Sequence, residues 1–171
     1  VWDALVRAVD NVMQNYPIYK SHPFDTGKEY NGGVAHGLTF TDVLDRMYEL
    51  TGNRKYLEYA AFLYMDYSHF FSWEQDAQLT NVLNKNYKLK CHAVHTYEHL
   101  RSLIVAASML EDKQVKQALA DYLQKIADVV TPTGGAIGDE WIAERLADAT
   151  HTGYEYCSLH ELMDSYSVLF Q

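Results

Sequence analysis

The sequence predicts an all-α fold made of helical hairpins, set within a closed α/α toroid. Apolar residues recur at helical spacing along almost the whole chain. No stretch sustains the period-two alternation of a half-buried strand, so no sheet is expected. The segment from His36 to the turn at Gly52-Asn53 also matches the segment from His95 to the turn at Glu111-Asp112, with an offset of 59 positions at both ends. That offset marks a two-helix unit repeated along the chain.

The elements follow in order. Trp2, Leu5, Val6, Val9, Val12 and Met13 define an incoming helix. Phe40, Val43, Leu44 and Met47 define the first arm of a hairpin, and Tyr56, Leu57, Ala60, Leu63, Tyr64 and Tyr67 define its return. Leu100, Leu103, Ile104 and Ala107, then Val115, Leu119, Tyr122, Leu123, Ile126 and Val130, repeat the arrangement. Leu159, Leu162, Met163, Tyr166 and Phe170 open a third unit. Each turn inside a hairpin is short, whereas the connections Tyr16 to Ala35, Phe71 to Lys90 and Thr131 to Tyr156 are long. Loops of that size in compact domains tend to be functional. A toroid gathers them around one mouth.

Two hairpins, an incoming helix and the start of a third unit amount to roughly the first half of a six-hairpin ring. Residues 1–171 are therefore expected to be part of a single toroid domain that continues past both ends, with apolar flanks left exposed. Hydrophobic residues make up 48% of the chain, enough for a substantial core. The formal charge of −9 argues against nucleic acid as a partner, because phosphate binding needs clustered Lys and Arg. No apolar run approaches the ~20 residues that span a bilayer. Any targeting peptide would precede Val1, which leaves the compartment open, with periplasm or cytoplasm favoured over nucleus or membrane.

The chemistry concentrates between Thr133 and Glu161, where TGGAIGDEW is followed by GYEYCSLHE. A glycine-rich turn there presents Asp139 and Glu140. Ser158 and Glu161 fit a capping box, which places a helix start at Ser158. Glu155 and Cys157 then fall in an extended lead-in, where side chains two apart share a face. A carboxylate and a thiolate aimed at one point suit zinc, although a closed zinc site needs about four ligands. The alternative is a buried free cysteine beside a capping glutamate. His95 and His99 stand at i, i+4, a metal-ligand spacing, but without the glutamate of His-Glu-x-x-His they read as packing. His160 is a further possible ligand beside Cys157, and Cys91 reads as packing.

GVAHGLTFTDVLDRMYELTGN (33–53), CHAVHTYEHLRSLIVAASMLED (91–112), TGGAIGDEW and GYEYC, in that order, resemble the successive blocks of the beta-L-arabinofuranosidase family of glycoside hydrolases. The resemblance covers the chain from about Asn31 onward, and the family's catalytic domain is an (α/α)6 barrel. It implies a retaining, exo-acting hydrolase in which Glu140 is the acid/base and Glu155 and Cys157 are two ligands of a Zn2+ ion. His36 and His92 would face the sugar. The nucleophilic cysteine and the remaining ligand belong to a Cys-Cys pair farther along the family's sequence, beyond residue 171, so residues 1–171 alone are not expected to turn over substrate. The implied partners are a small carbohydrate and the remainder of the toroid. Trp141, Tyr30 and Trp73 are candidate faces for a sugar ring, with Trp141 the closest in sequence to the acid.

The chain departs from the family by carrying Tyr156 and Ser158 on either side of the cysteine, and by lacking a proline in the intervening loop. Glu144 is the alternative acid if the loop is read in another register. Two other functions share the architecture. One is a metal-free sugar enzyme, of unsaturated glucuronyl hydrolase or epimerase type, and the other a carbohydrate-binding toroid without turnover.

Overall fold

The computed structural model describes residues 1–27 and 34–170, leaving aside the side chains of residues 34 and 35. Tyr30, a candidate face for a sugar ring, lies outside the described residues. The elements are α1 (Trp2–Asn15), α2 (Val34–Gly37), α3 (Phe40–Thr51), α4 (Lys55–His69), α5 (Leu79–Leu83), α6 (Ala93–Met109), α7 (Lys113–Ala127) and α8 (Tyr156–Leu169). Among the described residues the only β-type pairings are two isolated bridges, His92 with Trp141 and Val130 with Ala136. The fold is all-α. No helix of the described residues is long and apolar enough to cross a membrane.

Both expected hairpin turns are present, and each has a local cause. Gly52 ends α3 in the left-handed region (φ 67°), and its N–H donates to the Tyr48 carbonyl. Only glycine adopts that conformation without strain. Asn53 Oδ1 then accepts from Lys55 N at 3.1 Å, which opens α4. In the second hairpin Asp112 caps α7, its carboxylate accepting from Gln114 N at 2.7 Å and from Val115 N at 3.4 Å.

The core is centred on α4 and α6. Ten residues of α4 and twelve of α6 are buried, far more than one stripe, which requires partners on several sides. α6 packs against α3, α4, α7 and α8. By contrast α1 buries only Val9, and Trp2 and Leu5 on its apolar stripe stay exposed. Met163 of α8 and Phe170 directly after it are exposed as well.

A buried cation ties three helices together. Arg101 of α6 donates through Nε to Asp42 of α3 at 2.9 Å and through Nη2 to Glu161 of α8 at 2.6 Å. It also reaches the Glu161 carbonyl at 3.2 Å. This pairing corrects one expectation. α8 begins at Tyr156 with Glu155 at the cap position, not at Ser158, because Glu161 is committed to Arg101 and the Ser158 hydroxyl makes no capping bond. Ser158 is wholly buried instead, facing Gly138. Cys157 therefore lies inside the first turn of α8, and the extended lead-in shared by Glu155 and Cys157 is not formed.

The long connections are organised by buried carboxylates. Asp66 of α4 accepts from Phe24 N at 2.9 Å and contacts His22 Nδ1 at 2.8 Å, holding the segment after α1. In the second connection, which contains α5, Asp76 is almost fully buried and accepts from Tyr87 Oη, Lys90 N, Cys91 N and Thr96 Oγ1. A buried carboxylate needs donors of this number to offset its lost hydration. The same four donors fix the chain entering α6.

Candidate active site

The loop between α7 and α8 lies along the entry to α6. Glu140 O accepts from Ala93 N at 2.8 Å, and Ile142 N, Ala143 N and Glu144 N donate to the carbonyls of Cys91, Lys90 and Leu89 at 3.0, 3.2 and 2.9 Å. Tyr97 Oη adds a bond to the Ile137 carbonyl at 2.7 Å. Within this stretch Glu140, Ala143 and Glu144 have φ of 71°, 54° and 62°. Left-handed conformations at non-glycine residues store strain and cluster at functional sites.

This backbone pairing brings two expected site residues into contact. His92 Nε2 lies 3.1 Å from Glu140 Oε2. The His92 ring meets Trp141 edge to face, with centroids 5.8 Å apart. His92 N donates to Glu74 Oε2 at 3.1 Å, so the residue is held from its backbone as well as its ring. Its Nδ1 is buried without a hydrogen-bond partner. The Glu140 side chain is 71% exposed, while that of His92 is 21% exposed. Asp139 is bound by two nitrogens of Arg145 at 2.9 and 2.5 Å, which hold its carboxyl below the usual range. Glu144, the alternative acid, lines a separate groove with Tyr87, Lys125 and Arg145.

His36 and His95 extend the row of rings. Their centroids are 4.3 Å apart, and His95 stands 5.1 Å from His92. Burial, with His36 and His92 adjacent, pushes the His95 pKa down to about 4. Glu98, one turn further along α6, offers a carboxylate oxygen within 4.8 Å of ligand atoms of His36 and His95. Burial, then Glu161 and Asp42, push its carboxyl up to about 7 against the opposing pull of Arg101. His99 is packing, as its spacing without a partner glutamate implied: it is buried against Tyr67 at 5.4 Å and His95 at 5.8 Å. Cys91 is buried too, its thiol donating to the Trp73 carbonyl at 3.2 Å, and burial raises its pKa.

Glu155 and Cys157 sit where the glycine-rich turn meets α8. A Cβ on Gly138 would come 2.7 Å from Glu155 N, so only glycine allows this approach. Gly138 N donates to Gly153 O at 3.0 Å across the same junction. Glu155 Oε2 is buried with no hydrogen-bond partner, while Cys157 is a free, exposed thiol. A carboxylate oxygen and a thiolate sulfur are both ligand types that zinc takes. Among the described residues no group of three metal-donor side chains includes Glu155 or Cys157, and no hydrogen bond or ion pair links Glu140 to either. His160, the further candidate beside Cys157, stands with Asp164 and Glu161, and the latter is already bound to Arg101.

Glu74, Asp76, His95 and Glu98 were not among the expected site residues. The repeat offset itself pairs His36 with His95, which was the available signal for one of them. No protein-family model, curated protein or solved structure matches the chain.

Proposed function

We propose that the chain is part of an (α/α)6 toroid and carries the acid/base side of a retaining glycoside hydrolase acting on non-reducing-end furanosides of the β-L-arabinofuranoside class. The contact between His92 Nε2 and Glu140 Oε2, on a loop held by strained backbone and flanked by Trp141, carries the reading. The motif order described above supports the substrate class. The packing of α6 against both hairpins and α8, and the exposed apolar side chains of α1 and α8, support the larger ring.

In this reading Glu140 donates a proton to the leaving glycosidic oxygen and later takes one from water. His92 orients the carboxylate through Nε2. Trp141 offers a half-exposed face for the ring. Glu140 is open to solvent, so it is a covering substrate that shields it from water. Glu155 and Cys157 would hold Zn2+ together with ligands outside residues 1–171. Zinc, when bound, supplies an anchored thiolate at neutral pH.

The row of His36, His92 and His95 favours one second reading, a metal-free sugar epimerase or unsaturated-uronide hydrolase with a histidine as acid or base. Protein extended past residue 171 separates the two. Hydrolysis of an aryl β-L-arabinofuranoside, abolished by a chelator and restored by Zn2+, is the expected result. Activity that persists in chelator removes the zinc-thiolate mechanism. Sugar binding without release of product from any furanoside would leave a binding toroid.

A further inference from the structure

His36 comes from α2 and His95 and Glu98 from α6, yet one donor atom of each falls within 4.8 Å of the others. We propose that these three residues form a binding site for one divalent transition-metal ion, separate from Glu155 and Cys157. An ion held at ~2.1 Å by three ligands spaces them roughly 3.4 Å apart. The observed separation of up to 4.8 Å exceeds that spacing by no more than about 1.4 Å.

The placement is rigid where it needs to be. His95 and Glu98 stand at i, i+3 on α6, the most buried helix, and so project from adjacent positions on one face. His36 closes the site from the end of α2.

Two further observations point to a cation. His95 Nδ1 is buried with no hydrogen-bond partner and lies 3.8 Å from Glu74 Oε1. Metal-bound histidines commonly give their second nitrogen to a carboxylate, which fixes the tautomer. Glu74 stands ready for that role, leaving Nε2 of His95 for the ion. Glu98 is half-buried, and Arg101, three positions on along α6, is already bound by Asp42 and Glu161. A cation beside Glu98 compensates a carboxylate that its surroundings otherwise penalise.

The ligand set indicates the metal class. Two imidazoles and one carboxylate with open positions suit Zn2+, Co2+, Ni2+ or Fe2+, whereas Ca2+ and Mg2+ require shells of oxygen. The inference does not rest on glycosidase chemistry, and either can fail without the other.

The test is a Co2+ titration of chelator-stripped protein, with visible absorption and calorimetry as readouts, and with Zn2+ competition. All measurements use a Cys157→Ser background, so that the Glu155 and Cys157 pair does not contribute. One equivalent of metal is expected. His36→Ala and Glu98→Gln should each weaken binding by more than the roughly 10–100-fold that outer-shell changes produce. Glu74→Gln should fall within that range, and His160→Ala should have no effect. His36 is exposed, so its variant should keep the wild-type circular dichroism and Tm. Absence of binding in the Cys157→Ser background, or binding that survives both His36→Ala and Glu98→Gln, would overturn the proposal.

Discussion

His92 and Glu140 are 48 positions apart in sequence, yet a ring nitrogen and a carboxylate oxygen meet at 3.1 Å because the backbone of 140–144 runs along that of 89–93. The acid candidate is therefore positioned by main-chain pairing first and by its histidine second. In protein extended past residue 171, Glu140→Gln should lower kcat on an aryl β-L-arabinofuranoside by about 10²–10⁴-fold with little change in KM. Glu144→Gln should leave kcat unchanged. The reverse pattern would move the acid to Glu144.

Gly138 is where the glycine-rich turn touches α8. A methyl group there would lie 2.7 Å from Glu155 N and 3.1 Å from Ser158 Cβ. Gly138→Ala should destabilise the protein by roughly 1–3 kcal/mol, the usual range for overpacking. Denaturant unfolding reads the loss. Because the clash falls on the cap of α8, the same variant should weaken Zn2+ retention at Glu155 and Cys157 in the extended protein.

Arg101 is the shared partner of Asp42 and Glu161, and it is only 7% exposed. Arg101→Met removes the cation and leaves two carboxylates on facing helices. Breaking a buried pair from one side costs roughly 3–5 kcal/mol. The low end is expected in urea unfolding, since the Asp42 side chain is 35% exposed. Adding Asp42→Asn and Glu161→Gln should recover part of that loss.

The two cysteines should differ in reactivity. Burial, with Asp76 adjacent, raises the Cys91 thiol, so the reactive thiolate is scarce at pH 8 and grows only at higher pH. Cys157 is exposed. Iodoacetamide at pH 8 should modify Cys157 alone in the native protein and both residues once it is unfolded, as read by peptide mass. In extended protein, Zn2+ should slow modification of Cys157.

The hairpins were legible because their signals are local. Apolar spacing gives the helices, and Gly52 and Asp112 supply the expected turn chemistry. The start of α8 was misplaced because the capping box assumes that Glu161 serves its own helix, whereas Arg101 claims it from 60 positions away. α5 escaped notice because five residues hold too little periodicity. At the site, Glu140, His92 and Trp141 stand in recognisable motifs. Glu74 and Glu98 do not, since what distinguishes them is a neighbour contributed by another part of the chain. The 59-position offset did contain one long-range fact: the equivalent histidines of the two repeats, His36 and His95, touch.

The four donors gathered on Asp76 anchor both ends of the exposed turn at 84–86, through Tyr87, Lys90 and Cys91 on one side and residue 76 itself on the other. Chain inserted between Asn84 and Asn86 has no lever on His92. That turn is thus a place where a reporter peptide or a fused binding module can be grafted while the contact between His92 and Glu140 stays put.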